Sequence, residues 1–330
     1  MSVLKKKPLI SIITPVFNEE EGLSTYEKEA YRIFLSREDL EFEIILVDDG
    51  STDQSWAFIK LLCERDRHYR GIRLSRNFGS HIALAAGLKR AKGEAVAILA
   101  CDLQDPPECI LEFIDVWGKG CHIVWGKRLN RGDSFWRVAT SKLFKYLLEK
   151  LAMPKGSKFT TGSFLLLDRV VVDWYNTFRE HNRITFALIA WMGFSQEVIP
   201  YARRSRKTGK SGWTFMKMLR TFYDAIIGFS YGPVRFLSML GIFVSLGNGF
   251  FALYVVLNWI VKDVKPGWTS IVLLISFFSG LQLIILGFIA EFLYRVHMEV
   301  TNRPLYCISC DTEKMEQRDF TQFASPPPNE

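Results

Sequence analysis

The 330-residue sequence predicts an α/β domain with a mostly parallel sheet, followed by two membrane-spanning helices. Short, mostly apolar runs at 9–16 (LISIITPV), 42–47 (FEIILV) and 95–100 (AVAILA) alternate with helix-like stretches at 19–36, 53–66 and 81–91. Strands that are apolar on both faces and separated by helices fit a sheet covered on both sides, which is the parallel arrangement. Residues 236–260 and 268–290 contain no Asp, Glu, Lys or Arg, and each run exceeds the roughly 20 residues that a helix needs to cross a hydrocarbon core of about 30 Å. The mean hydropathy of +0.08 therefore averages two chemistries, an ordinarily charged domain and a lipid-facing anchor. That split excludes a simple cytosolic globule, a disordered chain and a many-helix transporter.

Taken in order, Lys5, Lys6 and Lys7 before an apolar run imitate the start of an export signal. The run breaks at Pro15 and ends in Asn18-Glu19-Glu20-Glu21 without a small-residue cleavage site, so it reads as the first strand. The three strands end in Asn18-Glu19, Asp48-Asp49-Gly50-Ser51 and Asp102-Leu103-Gln104-Asp105. Ligands of open α/β sheets bind beyond the carboxyl ends of the strands, so three polar ends at one edge predict a site there. Further on, 134–153 reads as a helix stopped by Pro154 and Gly156. In 213–229, Phe215, Leu219, Phe222, Ile226 and Phe229 recur at helical spacing, with Lys217, Arg220 and Asp224 between them. This segment leads through Gly232-Pro233 into the first span and is expected to lie as an amphipathic helix in the membrane interface. After about residue 311 the chain is polar and Pro-rich and is expected to be disordered.

The formal charge of +7 concentrates at 203–220, where Arg203, Arg204, Arg206, Lys207, Lys210, Lys217 and Arg220 face no acid. A basic run beside a span suits anionic headgroups or an anionic substrate. The loop between the spans carries only Lys262, Asp263 and Lys265, whereas the outer flanks carry Lys217, Arg220, Arg235, Arg295 and Arg303. The positive-inside bias places both termini in the cytoplasm. No nucleic-acid partner is expected, because the basic run has no recognisable reading module. Of the six cysteines, Cys307 and Cys310 have zinc spacing but no second Cys or His pair follows. Ser245/Gly249 and Ser276/Gly280 allow close helix packing and lead us to expect a homo-oligomer.

Two motifs carry chemistry. In VDDGSTD (47–53) a carboxylate at a strand end could accept hydrogen bonds from a ribose or base, while Ser51 or Thr52 could equally cap the next helix. In DLQDPPE (102–108) hard oxygen ligands suit Mg²⁺ or Mn²⁺ bound together with substrate phosphates. Two other patterns fail in context. TGKS at 208–211 has Arg204 where a P-loop needs glycine, and GNGFFA at 247–252 lies inside a predicted span.

ITPVFNEE, VDDGSTD, RNFGSHIALAAGLKRAKGE, DLQDPPE and GKR (126–128), in this order, resemble family 2 glycosyltransferases, and more narrowly the polyprenyl-phosphate glycosyltransferases. The resemblance covers about 8–300. It implies a glycosyltransferase A-type fold that binds a nucleotide sugar and transfers the sugar with inversion to a lipid phosphate. It implies that Pro15, Phe17 and Glu19 form a nucleotide-contacting loop, that Asp48 and Asp49 meet the nucleoside, and that Asp102 and Gln104 hold Mg²⁺ or Mn²⁺. Arg128, Arg137 and Ser141 match positions associated with the acceptor phosphate. Arg203, Arg206, Gly209, Ser211 and Trp213 match a segment that approaches the diphosphate, and Lys210 stands in for a usual lysine at Gly212. The chain departs from the pattern at Ala100, Ser163 and Leu165, where many relatives carry Asp, Asp and Arg. The expected product is a glucosylated undecaprenyl-phosphate-like lipid made from UDP-glucose; GDP-mannose and a modified pentose remain open donors. A processive polysaccharide synthase is disfavoured by the missing Q-x-x-R-W motif, and a non-enzymatic sugar-nucleotide scaffold by the retained Asp102/Gln104 pair. The expected domains are a catalytic domain at 1–212, the interface helix and linker at 213–232, a two-helix hairpin at 233–298 and a cytoplasmic tail at 299–330.

Overall fold

The computed structural model describes residues 7–34, 37–129, 163–180, 183–204 and 267–313, with ten helical positions between 239 and 257. The chain divides into two compact units. The first comprises Met1–Met218 together with Pro304–Glu330, and the second Leu219–Arg303.

The first unit is built on one eight-stranded sheet. Its opening half alternates strand and helix as the apolar runs predict: β1 (Leu9–Val16), α1 (Glu20–Phe34), β2 (Glu41–Asp48), α2 (Ser55–Arg65), β3 (Tyr69–Leu74), α3 (Ser80–Arg90) and β4 (Ala95–Ile98). Then follow α4 (Cys109–Trp117), β5 (Ile123–Arg128), β6 (Leu165–Asp168), α5 (Arg169–Thr177), α6 (Thr185–Trp191) and β7 (Gln196–Tyr201). After the second unit the chain adds β8 (Ile308–Asp311). The strand order is β7-β5-β6-β4-β1-β2-β3-β8.

The sheet keeps the expected parallel majority but is mixed, and β5 also pairs parallel with β7. Strands β3, β2, β1 and β4 run parallel, but β6 is antiparallel to both β4 and β5, and β8 is antiparallel to β3. Apolar runs such as LLLD report burial on both faces, and burial does not encode strand direction. Ile10, Ile12, Ile13, Ile44, Ile45, Leu46, Val96 and Ala97 are fully buried, which accounts for the mostly apolar character of β1, β2 and β4. Helix α1 closes one face with Leu23, Tyr26, Ala30 and Phe34, the buried side of an amphipathic stripe. The strand order reverses between β1 and β4, so the carboxyl ends of these strands frame the crevice at which such sheets bind ligands.

The second unit contains α7 (Trp268–Thr301), which continues well past the uncharged run at 268–290 and closes with Asn302 in the left-handed conformation. Within its last turns Arg295 pairs with Glu291 at 2.9 Å, so the charges that ended the sequence-based span are accommodated in the helix. Phe277–Thr301 is long and apolar enough to cross a membrane, the one such helix among the described residues. Its large apolar side chains are exposed, among them Ile275, Phe277, Leu283 and Leu293, and so are Met239, Phe243, Phe250 and Leu257 at the described helical positions upstream. The remainder of 236–260, the helices expected at 134–153 and 213–229, and the tail from 314 lie outside the described residues. The expected tail at 299–330 is corrected over its first part: 299–301 belong to α7, and 308–311 are a strand of the first unit's sheet.

Candidate active site

The site lies at the carboxyl ends of β1, β2 and β4, and side chains of the first two ends lace them together. Asn18, in the left-handed conformation, donates its backbone N–H to Ser51 Oγ at 3.0 Å and accepts the Thr52 N–H on Oδ1 at 2.9 Å. The Glu19 N–H reaches Ser55 Oγ at 3.0 Å, the Glu20 N–H donates to Asp53 Oδ2 at 3.2 Å, and Glu20 Oε2 accepts the Gln54 N–H at 2.9 Å across the same gap. The expected capping of α2 by Ser51 or Thr52 is therefore replaced by bonds to the neighbouring loop. Pro15 occupies β1 opposite Val47, and Phe17 is exposed at the rim.

The two aspartates of VDDGSTD divide their work. Asp48 is fully buried; it accepts the Ser51 N–H at 3.1 Å and pairs with Arg73 Nε at 3.1 Å. It shapes the turn. Asp49 accepts the Phe78 and Gly79 N–H groups at 2.7 and 2.8 Å, one on each oxygen, and each oxygen keeps a lone pair for a further donor. Directly after them Gly50 sits at φ +71°, and a Cβ there would meet the Arg76 carbonyl carbon at 2.5 Å. Both the left-handed backbone and the space demand glycine. Gly50→Ala is expected to separate this turn from 76–79, seen as a lowered unfolding midpoint and weakened nucleotide binding.

Burial pushes the Asp49 carboxyl above its ordinary range, and the Asp48 charge acts in the same sense against the two N–H donors. The sign of the consequence differs for folding and binding. With its folded pKa raised, ionised Asp49 is a cost to the fold at neutral pH that is relieved on acidification. Ribose hydroxyls, in contrast, need the ionised acceptor. Nucleotide affinity should therefore fall on acidification from a higher pH than an ordinary carboxylate would give. A titration series of Asp49→Asn, which lacks that ionisation, should show a weaker and flatter pH dependence.

The β4 end brings the metal candidates together. Leu103 is left-handed at φ +49°, and Asp102 Oδ1 accepts the Gln104 N–H at 3.2 Å. Gln104 is largely buried, and its carbonyl accepts the Arg204 N–H at 2.9 Å, which ties this loop to the segment after β7. Among the described residues no group of three His, Cys, Asp or Glu side chains could hold a metal ion. The chain offers here one carboxylate and one amide oxygen. This donor set fits a hard divalent cation only in company with substrate phosphates, the usual habit of Mg²⁺.

The sequence reading missed the role of Asp105. Its side chain is buried and gathers three partners: Tyr201 donates its hydroxyl to Oδ1 at 2.5 Å, Arg128 Nε lies 3.6 Å away and Arg203 Nε 3.5 Å away. Arg128 also donates to the Tyr201 hydroxyl at 3.2 Å. Burial, reinforced by the Asp105 charge, pushes the Tyr201 phenol far up, so it serves as a fixed donor. Two arginines from distant parts of the chain are thus aimed beside Asp102 and Gln104. Both remain partly exposed, with side-chain accessibilities of 23% and 34%, and can take a further anion. Arg137, Ser141, Arg206, Gly209, Lys210, Ser211 and Trp213 lie outside the described residues.

The polar ends of β1, β2 and β4 and the two arginines paired with Asp105 thus lie at one edge of an α/β fold with a mixed sheet. Residues 11–174 match glycosyl transferase family 2. The chain is 35% identical over 302 residues to the uncharacterized glycosyltransferase YkcC of Bacillus subtilis (strain 168), covering 90% of this chain and 92% of that one. It is 33% identical over 301 residues to the SfII prophage-derived bactoprenol glucosyl transferase of Shigella flexneri, covering 91% and 97%. Among solved structures, it is similar to the mannosyltransferase PcManGT from Pyrobaculum calidifontis in complex with GDP-Man and Mn²⁺, at 20% identity and a TM-score of 0.45 over 66% of this chain and 61% of that one. The chain belongs to glycosyl transferase family 2 and is a glycosyltransferase.

Proposed function

We propose that this glycosyltransferase moves glucose from UDP-glucose, with inversion, to a polyprenyl phosphate at the cytoplasmic face of a membrane that it crosses twice. The observation that carries the reading is the clamping of Arg128 and Arg203 on Asp105, beside Asp102 and Gln104. Transfer brings two phosphate groups together, the leaving diphosphate of the donor and the nucleophilic phosphate of the lipid. A guanidinium can bind either with two parallel hydrogen bonds. We assign Arg203 to the diphosphate and Arg128, with Arg137 and Ser141, to the acceptor. Arg206, Lys210 and Ser211 would extend the diphosphate seat.

The acceptor is ionised near neutral pH, so no general base is needed. A phosphate oxygen attacks C1 from the face opposite the leaving group, the C1–O bond to the diphosphate breaks, and its electron pair leaves with the nucleoside diphosphate. Pro15, Phe17, Glu19 and Asp49 would hold the nucleoside, with Asp48 shaping the turn beneath it. A divalent cation, Mg²⁺ or Mn²⁺, held by Asp102, Gln104 and the donor phosphates, would neutralise charge growing on the leaving group.

Connectivity supports the hairpin. The chain leaves the first unit after Met218 and returns to the same sheet as β8, so any membrane it enters must be crossed an even number of times. Exposed apolar side chains along α7 and at the described helical positions before it suit lipid on both passes. A polyprenyl tail costs about 0.8 kcal/mol per CH₂ to bring into water, so the enzyme must go to its acceptor. The relatives named bactoprenol glucosyl transferase favour glucose and a bactoprenol-like lipid. The test is turnover of the detergent-solubilised full chain with polyprenyl phosphate, Mg²⁺ or Mn²⁺, and UDP-glucose, GDP-mannose or a UDP-linked aminopentose, followed by mass spectrometry of the lipid. A glucosyl lipid phosphate is expected. A mannosyl or pentosyl product would replace the donor, and no glycolipid with any donor would overturn the acceptor.

A further inference from the structure

We infer that the segment following the membrane hairpin, residues 307–313, is a working part of the donor pocket: it positions both sides of the nucleoside-binding turn from the far edge of the sheet. The inference rests on the reading of Asp49 as a nucleoside acceptor and goes beyond it, because this segment lies outside the family match at 11–174.

Strand β8 pairs antiparallel with β3, with Ile72 opposite Asp311, Arg73 opposite Cys310 and Leu74 opposite Ile308. The contact is extended at both ends. The Ser75 N–H reaches the Cys307 carbonyl at 2.9 Å, Ser309 Oγ donates towards the Arg73 and Leu74 carbonyls at 3.1 and 3.3 Å, and the Gly71 N–H reaches Thr312 Oγ1 at 3.1 Å. Charge locks the far end. Asp311 is 5% exposed and lies 3.5 Å from Arg70 and 3.6 Å from Arg90, while Glu313 pairs with Arg70 and Lys92. Two acids of the tail thus meet three cations of the first unit.

The gripped part of β3 feeds the donor pocket by two routes. Its side-chain route is Arg73, which forms an ion pair with Asp48 Oδ2 at 3.1 Å and donates a hydrogen bond to the Ser51 carbonyl at 3.0 Å, and so fixes the turn that presents Asp49. Its backbone route is the loop from Ser75, pinned on Cys307, to the Phe78 and Gly79 N–H groups that hold the Asp49 carboxylate. Without β8, β3 would be an open edge with its ladder groups unpaired, and both routes would hang from it.

The test compares three forms of the detergent-solubilised full chain: a truncation after Pro304, a truncation after Glu313, and the triple variant S309A/D311N/E313Q. Calorimetry with UDP-glucose and with GDP-mannose gives donor affinity, and steady-state turnover gives KM for donor and lipid and kcat separately. Truncation after Glu313 should behave as wild type. Truncation after Pro304 should weaken donor binding at least tenfold, and the triple variant about threefold or more. In both, lipid KM and the kcat at saturating donor should change less, and amide exchange should quicken at 75–79. If the longer truncation does not fold, the triple variant decides. Donor affinity unchanged in the triple variant, or donor KM, lipid KM and kcat lost in step with the unfolding midpoint, would overturn the inference. Wild type that binds neither nucleotide sugar would instead overturn the functional reading on which it rests.

Discussion

Asp102→Asn is expected to lower sugar transfer by a factor of about 10³ or more, the scale on which a group that stabilises developing charge acts. The substitution is chosen to spare the fold, since an asparagine oxygen can still accept the Gln104 N–H that Asp102 Oδ1 accepts. Turnover should be followed against Mg²⁺ and Mn²⁺ concentration, with the unfolding midpoint as control. Metal removal with a chelator should silence the wild type and leave the residual rate of the variant unchanged. Full activity of the variant in the presence of chelator would refute the metal assignment.

The second large effect is expected at Asp105. Asp105→Ala leaves the Tyr201 hydroxyl and two guanidinium groups without their common acceptor. The arginines are partly exposed and find water, so the stability loss should stay near 1–3 kcal/mol, mostly from the buried hydroxyl and the vacated space. Catalytic efficiency should fall further, by about 10²-fold, because the two arginines that we propose bind phosphate lose their aim. Asp105→Asn can keep the Tyr201 bond while removing the charge, so it should recover stability but not efficiency. Proportionate loss of both quantities in both variants would reduce Asp105 to a packing role.

These two carboxylates also mark what the sequence could and could not reveal. Strands β1, β2 and β4 were legible because burial on both faces leaves a mostly apolar run, and their polar ends marked one edge of the sheet directly. Strand β3 was not. Its sequence YRGIRL carries two arginines that look unsuited to a sheet until their partners are known: Asp48 for Arg73, and Asp311 and Glu313 for Arg70. Asp105 was visible as an acid in a metal-like motif, but its function is set by Tyr201 and Arg203, nearly a hundred residues away. Local pattern records burial and turns; it does not record which distant charge a side chain will meet. The four residues of β8 are too few to show a period, and their place in the sheet follows only from β3.

The return of β8 to that sheet has a consequence for biogenesis. The Gly71–Thr312 bond joins positions 241 residues apart, with the whole second unit synthesised between them. A nascent chain emerging from the ribosome can assemble β1 to β7 while β3 still waits as an uncovered edge. That edge can be sealed only after the whole of Leu219–Arg303 has been made and α7 has been followed by residues 308–311. Completion of the first unit is thereby ordered after synthesis of the second: if the proposed hairpin forms, molecules in which it stalls or inserts the wrong way round would keep an open sheet and present themselves to quality control rather than to substrate.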